Sequence, residues 1–66
     1  MTRDERNNWL VNIENTASYI GTEIGMRTVE FVLEKYGAKE ITQIPSSHLS
    51  DVFNELYVIE ADLRSG

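Results

Sequence analysis

The chain has no cysteine among its 66 residues, which removes a disulfide framework, a thiol nucleophile and a thiolate metal site from consideration. A single proline, Pro45, leaves little to interrupt helix elsewhere. Uninterrupted apolar stretches such as Trp9-Leu10-Val11, Phe31-Val32-Leu33 and Tyr57-Val58-Ile59 fall far short of the roughly 20 residues a membrane helix needs. Bases are scarce as well, at six Lys and Arg against eleven Asp and Glu. Phosphate contacts draw on clustered Lys and Arg, so the composition argues against a nucleic-acid partner. The charged start Met1-Thr2-Arg3-Asp4-Glu5-Arg6 leads into no apolar signal region, and a cytoplasmic protein without membrane contact is expected.

What is present is one small domain with 41% apolar residues. A chain this short must offset roughly 100 kcal/mol of ordering cost, at about 1.5 kcal/mol per residue, with very little core. A second copy or a partner is one way to complete such a core. The net charge of −5 is uneven: residues 1–39 carry six acids against five bases, while 40–66 carry five acids against Arg64 alone. That acidic half suits a solvated helix face, or a basic partner surface.

Thr2 followed by Glu5 fits a capping box at the start of a helix. Trp9, Leu10, Ile13, Ala17, Ile20 and Ile24 then recur at three and four residues, on one arc of an amphipathic helix. Gly21 and Gly25 interrupt this run, and each costs about 1 kcal/mol against alanine in a helix interior. After Gly25 the apolar arc shifts to Met26, Val29, Val32, Leu33 and Tyr36. Either the helix breaks near Gly21-Thr22, or one long helix, kinked or straight, continues to Tyr36. With no proline or turn cluster at this point, the continuous helix is the preferred expectation.

Gly37 suits the left-handed position after a helix C-terminus, and Lys35 and Lys39 complement that end. Ile41 and Ile44 in the linker are expected to tuck beneath the helices as a lid, in a loop or a single helical turn. A second helix follows Pro45, capped by Ser46 or Ser47, with Leu49, Val52, Phe53, Leu56, Tyr57, Ile59 and Leu63 on its apolar face. Glu60 and Arg64 form an i,i+4 pair near its end. The expected fold class is all-α: an antiparallel αα-hairpin with a long helix near 3–36 and a second near 47–64. Two helices leave the belt of Met26, Val29, Val32, Leu33 and Tyr36 uncovered, so a homodimer forming a four-helix bundle through those residues is the expected assembly.

No catalytic set stands out. Ser46, Ser47, His48 and Asp51 have the residue types of a nucleophile triad, but a helix N-terminus explains them without the scaffold a triad requires. His48 and Asp51 supply two metal ligands, too few for a closed site, and no cofactor is expected. The carboxylate pairs Glu30/Glu34 and Asp51/Glu55 lack the Glu-x-x-His companions of a di-iron bundle. Gly21-Thr22-Glu23-Ile24-Gly25 lacks the Lys and Ser/Thr of a phosphate loop and reads as a place of close helix approach or a hinge. Among the aromatics, Trp9, Tyr36 and Tyr57 read as core, whereas Tyr19 lies off the apolar arc as a candidate exposed contact.

The stretch Tyr36-Gly37-Ala38, followed by Asp51-Val52-Phe53-Asn54-Glu55-Leu56-Tyr57-Val58-Ile59-Glu60-Ala61-Asp62-Leu63, resembles short uncharacterised helical proteins carried on conjugative and integrative elements of Gram-positive gut bacteria. The resemblance implies an accessory protein of a mobile element and brings no activity, cofactor or site with it. The leading expectation is therefore a non-enzymatic interaction or regulatory module that self-associates and contacts a protein partner. An alternative is an acidic inhibitor of a nucleic-acid-binding protein, of the anti-restriction or anti-CRISPR kind, presenting Tyr19, Asp51, Glu55, Glu60 and Asp62. A third, an RNA-binding hairpin dimer, is weakened by the six basic residues.

Overall fold

The computed structural model describes residues 1–66 and contains three α-helices: α1 (Arg3–Ile24), α2 (Met26–Lys35) and α3 (Leu49–Ser65). Two 3₁₀ turns, Ile41–Gln43 and Ser46–His48, occupy the linker between α2 and α3. The expected capping box starts α1: Glu5 N–H donates to Thr2 Oγ1 at 3.2 Å, and Thr2 N–H donates back to Glu5 Oε1 at 3.4 Å. Its 22 residues span about 33 Å at 1.5 Å each, close to the 36 Å long dimension of the molecule.

The continuous helix to Tyr36 is corrected. α1 ends at Gly25, whose N–H still reaches Ile20 and Gly21 carbonyls, but whose φ of 101° and ψ of 154° lie outside any helical basin. α2 starts at the next residue, so a single glycine reverses the chain. Gly21 serves the same turn differently. A Cβ placed there would lie 2.6 Å from Met26 Sδ, so its missing side chain is the space into which Met26 folds.

Contacts along the helices fix their directions. Arg6 meets Ser46, Trp9 meets Phe53, Thr16 meets Leu56 and Tyr19 meets Arg64, so α3 runs parallel to α1. Lys35 meets Glu55 while Thr28 and Phe31 share a groove with Val58 and Ile59, so α2 runs antiparallel to α3. The antiparallel αα-hairpin is therefore also corrected, to an up-down-up arrangement of three helices. The shift of the apolar arc after Gly25 has its explanation here, because α2 must turn its own face inward once it has folded back.

Eleven apolar residues form the core: Ile13, Ala17 and Ile20 from α1, Val29, Val32 and Leu33 from α2, Leu49, Val52 and Leu56 from α3, and Ala38 and Ile44 from the linker. Trp9, Leu10, Tyr36, Ile41, Phe53, Ile59 and Leu63 pack around it. Ile44 is fully buried and Ile41 half-buried, as a lid over the end of the bundle requires.

Gly37, at φ 75°, closes α2 as expected: its N–H donates to Glu34 O and Ala38 N–H to Leu33 O, the paired bonds of a Schellman ending. Ser46 and Ser47 do not cap α3. His48 holds that position without a side-chain bond, while Ser46 Oγ accepts from Arg6 Nη1 at 2.9 Å. Arg6 also donates to Thr42 O at 3.0 Å, tying the linker to the first turns of α1.

Candidate interaction surface

Folding back at Gly25 changes which apolar residues reach the surface. Val29, Val32 and Leu33, expected at a dimer seam, are buried within one chain at 0%, 4% and 3% exposure. Tyr36 is half-buried, and Met26 remains about half exposed beside Gly21. The uncovered belt at 26–36 belongs to a straight helix, and α2 satisfies it against α1 and α3 instead.

Large apolar side chains are exposed on all three helices, Val11 and Ile24 on α1 and Tyr57 on α3 among them, and the most exposed lies on the other side of α2. Phe31 is the most exposed large apolar side chain of the molecule at 65%, and Val58 on α3 is 59% exposed. Both line a groove of about 490 Å³ between α2 and α3, with Thr28, Val32, Lys35, Asn54, Glu55 and Ile59. Val32 and Ile59 form its floor against the core. The groove runs along the face of the α2/α3 pair turned away from α1.

One end of the groove is closed by a polar clasp. Lys35 Nζ lies 2.6 Å from Glu55 Oε1, and Tyr36 OH donates to Glu55 Oε2 at 2.6 Å. The Lys35 ammonium first, and the Tyr36 hydroxyl second, hold the Glu55 carboxyl below the usual carboxylate range. Reciprocally, donation to Glu55 pushes the Tyr36 phenol up to about 12, with burial and the negative charges of Glu55 and Asp51 adding to it. The Tyr36 ring also lies 5.1 Å from that of His48, whose Nδ1 is 3.3 Å from Asp51 Oδ2. Far from forming a triad with Ser46 and Ser47, His48 is half-buried as part of this clasp.

The proposed acidic surface is dispersed. Asp51, Glu55 and Asp62 share the flank of α3 toward α2, but Asp51 pairs with His48 and Glu55 with Lys35. Glu60 lies on the opposite flank, where Arg64 Nε donates to it at 2.8 Å. That bond first, and Thr16 second, lower its pKa, while Arg64 is held more firmly in its charged form. The Arg64 guanidinium in turn sits 4.1 Å from the centre of the Tyr19 ring, so Tyr19 is a half-covered cation–π partner rather than an open contact. The contiguous acidic face that a basic cleft would need is thus broken by intrachain pairs.

Tyr57 departs from its expected core role, being 54% exposed and stacked on Phe53 at 5.6 Å. Phe53 meets Trp9 edge-on at 5.9 Å, which makes these aromatics a cover over the α1/α3 seam. No three His, Asp or Glu side chains gather closely enough to hold a metal ion. No helix is long and apolar enough to cross a membrane.

Sequence reasoning assigned Phe31 and Val58 no role and so missed the groove. The signal was available in two places: Phe31 stands outside the arc of Val29, Val32, Leu33 and Tyr36, and Val58 outside that of Leu49, Val52, Leu56 and Leu63. No family model matches the chain, and neither a curated protein nor a solved structure matches it.

Proposed function

We propose that the protein is a non-enzymatic helical interaction module that works by protein–protein contact, self-association included, with the α2/α3 groove as its contact surface. The observation that carries this reading is the pair Phe31 and Val58, 65% and 59% exposed and set together on one groove whose floor is Val32 and Ile59. Exposed apolar side chains set around a groove are the usual mark of a contact site. The occupant is a second copy, so that α2 and α3 of two chains form the four-helix bundle and α1 lies outside it. A role as a cytoplasmic accessory protein of a mobile element goes with this reading, on the resemblance carried by residues 36–38 and 51–63.

Sedimentation velocity across a concentration series tests it. The wild-type chain sediments increasingly as a dimer, whereas Phe31→Asp stays monomeric with unchanged helicity, since residue 31 contributes nothing to the core. A wild-type chain that remains monomeric at hundreds of micromolar, or a Phe31→Asp variant that dimerises as well as wild type, overturns the reading.

A further inference from the structure

Helix α2 borders a second groove, on the flank opposite the one that holds Phe31. At 100° per residue, Met26, Glu30 and Leu33 fall in a stripe about 60° wide, whereas Thr28 and Lys35 lie about 160° and 180° round from Met26. Glu14 of α1 and residues 39–42 of the linker complete this groove, whose volume is about 540 Å³. Met26, Leu33 and Ile41 give it an apolar floor: Leu33 is set in the core, Ile41 is half-buried and Met26 is about half exposed.

The linker wall is held in place before anything binds. Gln43 Oε1 accepts from the N–H groups of Lys39 at 3.0 Å and Glu40 at 3.3 Å. Arg6 anchors the far end of the wall by donating to the Thr42 carbonyl. An occupant therefore meets a formed groove and does not have to order the linker.

Charge identifies the occupant. Glu14, Glu30 and Glu40 are exposed on the rim, and Lys39 is the one base among the lining residues, which leaves two carboxylates in excess. Asp51, Glu55 and Glu60 on α3 each have a basic partner within the chain, but none of the three groove carboxylates has one. Lys39 likewise pairs with no carboxylate. Arg27 and Glu34 lie farther out on α2, beside Glu30, and their charges offset each other. An apolar floor under an acidic rim suits an apolar side chain with Lys or Arg next to it, and it repels an acidic segment.

A second copy is a poor source of such a segment. Of its six bases, Arg6, Lys35 and Arg64 are bonded within the chain, and Arg27 and Lys39 sit beside or in the groove itself. Arg3 is left, and Asp4 and Glu5 follow it directly. We propose that the α1/α2 groove docks a different, basic protein, taking from it an apolar side chain flanked by Lys or Arg. This contact uses another face than the α2/α3 groove and stands independently of self-association.

Titration of the isotope-labelled chain with the peptide acetyl-Arg-Leu-Arg-Arg-Leu-Arg-amide, followed by amide NMR shifts at low salt, tests the proposal. The expected result is saturable shifts centred on Met26, Glu30, Leu33 and residues 39–42. Replacing both leucines of the peptide by serine weakens binding about fivefold, and replacing its arginines by glutamate abolishes it. Glu14→Gln combined with Glu40→Gln, both exposed and outside the core, weakens binding about fivefold. Lys39→Gln removes the one opposing charge and tightens binding about twofold, a gain that loss of folding would not produce. The proposal is overturned if no saturable shifts appear, if they centre on Phe31 and Val58 instead, or if Lys39→Gln fails to tighten binding. Spermine binding as tightly as the peptide would also overturn it, because the apolar floor would then contribute nothing.

Discussion

Gly25→Ala distinguishes a broken helix from a continuous one by the sign of a single stability change. In a continuous helix, residue 25 is an interior position and alanine is about 1 kcal/mol better than glycine there. In the observed fold, residue 25 has φ 101° and ψ 154°, a region that L side chains essentially never occupy. The space around it is empty, with nothing within 4 Å of a Cβ built at that position, so no steric contact confuses the measurement. The whole penalty is backbone strain, about 1–3 kcal/mol for a residue held in such a region.

A 66-residue domain of ordinary stability has about 3–10 kcal/mol in total, so this loss is a large fraction of it. At about 4–8 °C per kcal/mol for a chain of this size, a 2 kcal/mol loss lowers Tm by about 8–16 °C. The assay is thermal and urea unfolding followed by circular dichroism at 222 nm. Gly21→Ala is the companion measurement. It sits inside α1, where alanine gains the same helix propensity, and its Cβ meets only the flexible Met26 thioether at 2.6 Å, which can swing aside. Gly21→Ala is expected near neutral and Gly25→Ala strongly destabilising. A Gly25→Ala variant that melts above wild type refutes the break, and with it the up-down-up topology.

Leu56→Ala removes a fully buried side chain at the centre of α3 and costs about 2–5 kcal/mol, enough to leave the chain partly unfolded at room temperature; an unchanged urea midpoint would contradict the core described above. The clasp predicts two pH windows. Tyr36, raised to about 12 from 10.0, contributes stability that is complete below pH 10 and is lost as pH climbs through 12; Glu55, lowered from 4.5, contributes stability present above about pH 4.5 and lost as pH falls through its folded value. Ultraviolet titration of the phenols should show Tyr36 ionising near 12 in wild type and moving back toward 10 in Glu55→Gln, and a Tyr36 signal unmoved by that change would show that the clasp does not form.

Local signals in the sequence were legible where one residue type answers one backbone demand. Thr2 and Glu5 cap α1 as their spacing predicts, and Gly37 adopts the left-handed turn that ends α2. The apolar periods identified helix throughout, and no strand intervenes. Topology was less legible, because a glycine inside a helical pattern is tolerated at about 1 kcal/mol or breaks the helix outright, and only tertiary packing decides which. Here Met26 folding over Gly21, and Val29, Val32 and Leu33 finding a core, make the break worthwhile. Ser46 failed as a cap for a similar reason: Arg6, forty residues earlier, takes its hydroxyl. Pairings that cross between helices, such as Lys35 with Glu55 or Arg64 with Tyr19, are invisible to i,i+4 reasoning until helix directions are known.

The break at Gly25 also explains why residues first assigned to contact with a second copy are buried within the chain instead. Had α1 continued straight, five apolar positions from Met26 to Tyr36 would have stayed open and α3 would have faced a single helix. Folding back buries three of the five and places α2 beside α3, which creates a groove that neither helix has alone. Helix α2 is only ten residues long, and its inward arc is already full. Phe31, nearly opposite that arc, has no place in the chain's own core at any rotation that keeps Val29 and Leu33 buried. The same glycine that lets a small chain complete one core thus leaves an aromatic residue outside it.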